Sequence, residues 1–166
     1  MPKDDWSGFH PIEKALWVDE TTDGLSDLTA GLVEDVAKLQ EVADEGSFKA
    51  EEIAQGSVDL LGEVSASKIT GEEERYSHTD LWDFQANVEG AEAGFEALKV
   101  VITEKDRQLA GEISDDFAST YELLDQYREG DGFVLYDTLS TDDTKQLAQQ
   151  IDVLGEAMSQ VPSLLG

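Results

Sequence analysis

The stretch LWDFQANVEGAEAGFEALKVVI, residues 81–102, decides the fold class. Within it Leu81, Phe84, Val88, Ala91, Phe95, Leu98 and Ile102 recur at steps of three and four. That spacing stacks side chains on one face of an α-helix, whereas a half-buried strand would alternate at every second residue. Three more stretches carry the same period: Leu109, Ile113, Phe117, Thr120, Leu124 and Tyr127; Leu147, Ile151, Leu154, Met158, Val161 and Leu165; and Leu25, Leu28, Leu32, Val36, Leu39 and Val42. Four such stripes predict a shared core.

Shorter helices are expected from about Ala50 to Ser67 and from about Phe9 to Asp19, where Pro11 is tolerable in the first turn. The reading is all-α, an up-and-down bundle of about six helices forming a single domain over residues 1–166. Breaks are expected at Thr22-Asp23-Gly24, Glu45-Gly46-Ser47, Thr70-Gly71 and Gly130-Asp131-Gly132, and Ser140-Thr141-Asp142-Asp143 offers caps for the last helix. Phe133 to Leu139 has some strand character but no stretch of similar character to pair with, so it reads as an ordered connection.

Composition narrows the function. The chain has 166 residues and 40% hydrophobic content, enough for a real core, and 38 acidic against 11 basic side chains give a formal net charge of −27. Such a charge repels phosphate backbones and anionic lipid headgroups, which excludes nucleic acid as a partner, and it attracts cations. It also serves as a solvated surface suited to salt or extracellular conditions. The absence of cysteine removes disulfides, thiolate metal sites and cysteine nucleophiles. No apolar run reaches the roughly 20 residues that span a bilayer. The opening Met1-Pro2-Lys3-Asp4-Asp5-Trp6 lacks the pattern of a signal peptide, so any export signal is expected outside this chain.

Three places could carry chemistry. His10-Pro11-Ile12-Glu13 sets an imidazole and a carboxylate three residues apart, on one helix face, where they could share a cation or simply hydrogen-bond to each other. In the segment from Gly71 to Asn87, residues Asp80, Asp83 and Asn87 line a stripe beside the apolar seam. These oxygens either complete a hard-ligand site with His10 and Glu13, or serve locally, with Ser77 or Thr79 as a cap and Asp80 at the positive helix end. The third place is Gly130-Asp131-Gly132, read as a turn because the acidic spacing of a calcium loop is missing, followed by Tyr136 and Asp137, which could face a pocket. No HExxH motif, GxSxG elbow or phosphate-binding glycine loop occurs.

Trp6-Ser7-Gly8-Phe9-His10-Pro11-Ile12-Glu13-Lys14-Ala15-Leu16-Trp17, with its GxHxxE core, resembles the signature of the imelysin-like domain of EfeO and EfeM proteins. The segment from Lys68 to Ala91 and that from Gly132 to Leu139 are similar to two further family segments, in family order. The resemblance implies an extracytoplasmic, periplasmic or extracellular component of a bacterial EfeUOB-type iron-uptake system, membrane-associated in a full-length form. Its implied partners are an iron permease and a haem-peroxidase-like protein. It further implies a metal site on His10 and Glu13, with Glu74, His78, Asp80 and Asp83 as further ligands and Asn87, Tyr136 and Asp137 around them. The cargo expected of such oxygen and imidazole donors is ferrous or ferric iron, with zinc also compatible. Family domains carry a helical stretch before GxHxxE, so the chain resembles the C-terminal part of the domain, without a cupredoxin domain, and the groove left there would favour a partner or self-association. The family is also grouped with metallopeptidases, an activity in which Glu13 or Glu74 would act as base. A third alternative is a structural interaction domain without metal.

Overall fold

A computed structural model describes residues 6–66, 71 and 73–166. The elements are the helices α1 (Phe9–Trp17), α2 (Ser26–Glu45), α3 (Ala50–Ala66), α4 (Asp80–Lys105), α5 (Arg107–Asp125), α6 (Thr141–Met158) and α7 (Val161–Leu165). Two short strands, β1 (Arg128–Glu129) and β2 (Gly132–Phe133), lie between α5 and α6. The chain divides into two compact units, one of residues 1–47 with 74–77, the other of residues 48–73 with 78–166.

The larger unit is built on the helical seams. Consecutive helices α3, α4, α5 and α6 each pack on the next, and α6 closes the ring on α3. All seven residues of the stripe Leu81 to Ile102 are buried, as are Leu109, Ile113, Phe117, Thr120, Leu124 and Tyr127. Along α6 and α7 the seam runs through Leu147, Ile151, Leu154, Met158 and Val161, and it breaks between the two helices just ahead of Pro162, which can start a helix but not continue one. The rings of Phe95 and Phe117, 5.8 Å apart, join α4 to α5 at the centre. From α3 the core receives Ala54, Leu61 and Val64.

Caps mark where helices begin. Asp106 is both the C-cap of α4 and the N-cap of α5, accepting a hydrogen bond from the Leu109 amide at 3.0 Å. Within the stretch expected to cap the last helix, Ser140 and Asp143 form a reciprocal capping box at the start of α6. Helix α4 begins at Asp80, with Thr79 at its N-cap position making no side-chain cap, and Asp80 occupies the first turn.

Two expectations need correction. Of the stretch Phe133 to Leu139 only Phe133 is strand, in Gly132–Phe133, paired antiparallel with Arg128–Glu129 across Gly130, whose φ of +59° allows the tight reversal. The remainder is a connection with a 3-10 turn at Tyr136–Thr138. The partner strand is only two residues long, too short to show as a pattern. Arg128 stacks over Phe133, 4.0 Å from the ring centroid, and Phe133 meets Trp82 edge-on at 5.3 Å, which seats the hairpin against α4.

The second correction concerns α2, which has the amphipathic spacing expected of a core helix yet buries none of its residues. Val33, Val36, Leu39 and Val42 are 50–70% exposed. Periodicity shows that a helix has an apolar face; it does not show what covers that face. Of the remaining boundaries, Ser67 and Thr70 lie outside the described residues.

The two kinds of stripe should answer differently to truncation. Phe84→Ala, in the core, should cost about 3–5 kcal/mol in urea unfolding, from lost burial and the cavity left behind. Leu39→Ala, on the exposed face of α2, should shift stability by no more than about 0.5 kcal/mol.

Candidate functional site

In the smaller unit the candidate site grows from the first two turns of α1. Gly8 enters the helix at φ +89°, a conformation open to glycine at little cost, and the next turn carries His10 and, one turn on, Glu13. The two are treated very differently by their surroundings. The imidazole of His10 is 51% exposed, while the carboxylate of Glu13 is 6% exposed, with Nδ1 of His10 and Oε2 of Glu13 3.3 Å apart.

A carboxylate taken out of water must be met by donors. Glu13 finds them more than sixty residues along the chain: its Oε1 accepts hydrogen bonds from the backbone amides of Tyr76 at 2.9 Å and Ser77 at 2.8 Å, and from the Ser77 hydroxyl at 2.9 Å. Burial alone would raise the Glu13 pKa. The bonds from the Ser77 and Tyr76 amides, the Ser77 hydroxyl and His10 outweigh it, so the carboxyl titrates below its ordinary value. Glu74 joins the group through the same hydroxyl, with its Oε2 3.2 Å from Ser77 Oγ. A hydroxyl carries one proton, so Ser77 serves one carboxylate at a time. At the other end of α1, Lys14 pairs with Asp19 at 2.6 Å, where the chain turns away.

The other nominated residues belong to the larger unit. His78, in a left-handed conformation at φ +56°, accepts the Tyr136 amide on its carbonyl at 2.9 Å, and its Nε2 stands 4.0 Å from Oδ2 of Asp137. These residues line a cleft of about 350 Å³ with Gly71, Leu139, Ser140, Thr141 and Thr144. Glycine is required at position 71: at φ +67° a Cβ would come within 2.6 Å of the Tyr136 ring. Tyr136 is buried, and burial together with the Asp80 carboxylate pushes its phenol up to about 12. Asp80 is 1% exposed. Asn87 turns its amide to the Asp83 carbonyl at 2.7 Å, within its own helix.

The structure thus gathers the nominated residues into two groups: His10, Glu13 and Glu74 in one unit, and Asp80, His78, Tyr136 and Asp137 in the other. Among the described residues no three His, Asp or Glu side chains meet in a ready-made metal cluster. Sequence reasoning missed the amides of Tyr76 and Ser77. Main-chain donors carry no residue-type signature, so no motif could have revealed them.

These features define an α-helical protein with an exposed imidazole set against a buried, ionised carboxylate. The family model described as imelysin, Peptidase_M75, matches residues 2–161, and the chain belongs to that family. Among its relatives are proteins named Efem/EfeO family lipoprotein. The one from Staphylococcus haemolyticus is 44% identical over 163 residues, covering 96% of this chain. The one from Staphylococcus aureus NCTC 8325 is 42% identical over 159 residues, covering 95% of this chain. The chain spans 56% of the length of each. No helix among the described residues is long and apolar enough to cross a membrane.

Because the folded pKa of Glu13 is depressed, the stability it contributes is present above the unfolded value of about 4.5 and is lost as pH falls through the folded value. The protection of the Tyr76 and Ser77 amides against exchange should therefore fall on acidification below about pH 4.5, relative to the core amides of α4. Glu13→Gln should flatten that acid-specific response.

Proposed function

We propose that this protein captures a metal cation, iron as cargo, outside the cytoplasm and hands it on within an uptake system. The observation that carries the reading is the His10–Glu13 pair: a half-exposed imidazole beside a carboxylate kept ionised by main-chain donors, with Glu74 on the same hydroxyl. Imidazole nitrogen, with the Glu74 carboxylate as the oxygen donor nominated for the same site, suits ferrous or ferric iron and also accepts zinc. An ion seated on a side chain as exposed as His10 retains water in part of its coordination shell. It is therefore open to exchange with a downstream acceptor, as a carrier requires.

Two further facts support this reading. The charge of −27 raises the local concentration of cations around the chain. The relatives bear the name Efem/EfeO family lipoprotein, and a lipid-anchored, extracytoplasmic role is in keeping with that name. In that setting the acceptor is an iron permease, working beside a haem-peroxidase-like protein. Hydrolysis is less well served. A general base must take up a proton near neutral pH, and Glu13 has three donors on one oxygen and a lowered pKa.

Calorimetric titration of the metal-stripped protein with ferrous ion under anaerobic conditions, and with zinc, tests the reading. His10→Ala should weaken binding at least about tenfold, the lower bound expected on losing a metal's nitrogen donor or its orienting partner, with helicity by circular dichroism unchanged. Equal affinity in wild type and variant would overturn the assignment of the site.

A further inference from the structure

The two residues of the pair do not play equal parts. Glu13 has one oxygen, Oε1, turned to the amides of Tyr76 and Ser77 and to the Ser77 hydroxyl, and the other, Oε2, turned to Nδ1 of His10. An ionised carboxylate can only accept hydrogen bonds, so the ring nitrogen facing it must be the donor. In the neutral ring this puts the proton on Nδ1 and leaves a lone pair on Nε2. The carboxylate that imposes this is itself clamped at 6% exposure, whereas the ring it orients is 51% exposed.

Resting on the metal-capture reading above, we propose that Glu13 is a positioning residue: its clamped carboxylate fixes the His10 tautomer, so that Nε2 is the atom offered to the cation. The segment from Tyr76 to Ser77 is then part of the binding apparatus without touching the ion. It holds Glu13, Glu13 holds the imidazole, and the imidazole presents one nitrogen to solvent. Such outer hydrogen bonds fix ring orientation and raise the basicity of the ligand nitrogen.

Glu13→Gln separates positioning from ligation. The glutamine oxygen can still accept from the Tyr76 and Ser77 amides. Its NH2 group then faces Nδ1, which must accept, and the ring proton moves to Nε2, the nitrogen that was to bind. The readout is the tautomer itself, measured on metal-free, nitrogen-15-labelled protein above the titration of its rings through long-range couplings from the ring protons to the ring nitrogens. The chain has two histidines, and His10→Ala assigns the signals. In the wild type the proton is expected on Nδ1 of His10, and in Glu13→Gln on Nε2, with zinc affinity reduced about 10- to 100-fold.

A wild-type ring protonated on Nε2 would overturn the proposal, and that observation needs no variant. An unchanged tautomer in a folded Glu13→Gln that nevertheless loses zinc would also overturn it, because Glu13 would then be a ligand in its own right. The tautomer is read without metal. If the wild type bound neither zinc nor ferrous ion, the capture reading would fall, whereas a misplaced ring proton in a protein that binds either ion would sink the positioning role alone.

Discussion

A buried carboxylate is expensive unless its lone pairs are met, and in the smaller unit that demand is satisfied by the main chain of residues 76 and 77. Those amides would otherwise need water, and Glu13 would otherwise need exposure. Each solves the other's problem, and the solution ties the first helix to a segment more than sixty residues distant. Ser77, which adds its hydroxyl, is 3% exposed, so the arrangement is shielded from competing solvent. Whatever chemistry His10 performs depends on this contact, because the imidazole takes its orientation from the carboxylate.

The larger unit rests on a different principle. Its cohesion comes from aromatic and aliphatic seams of α4, α5 and α6 closing on α3, with hydrogen bonds such as Tyr121 to Glu92 and Gln150 to Thr120 tying the helices at their edges. Surface ion pairs such as Lys99–Glu96 sit in solvent, where each contributes roughly 0–1 kcal/mol. With 38 acidic side chains the surface repels itself, and added salt screens that repulsion beyond about 10 Å at 0.1 M. Asp116 shows the effect locally: burial, followed by Glu112 and Asp115, raises its pKa.

How far this was legible in the sequence follows from which interactions leave a periodic trace. The seams of α4, α5 and α6 could be read residue by residue, because a helix buried on one side must repeat its apolar side chains every three or four positions. The stripe of α2 obeys the same rule and buries nothing, since amphipathicity is a property of one element and burial a property of two. His10 and Glu13 stood out by spacing. The clamp on Glu13 did not, because it is made of amides that every residue possesses. The hairpin at Gly130 escaped because two-residue strands are shorter than any alternation that could announce them.

The junction between α4 and α5 has its own implication for how such a chain can drift over evolutionary time. Asp106 is at once the last residue of one helix turn and the cap of the next, with its amide bonded back to Ile102 at 2.7 Å and its side chain forward to Leu109. Segments that join helices ordinarily absorb insertions and deletions, because slack in them disturbs no packing. Here there is no slack. Changes in length are therefore channelled toward turns such as those at Gly130 and Gly24, where nothing lies within 4 Å of a Cβ placed on the glycine and no helix end is committed on both sides.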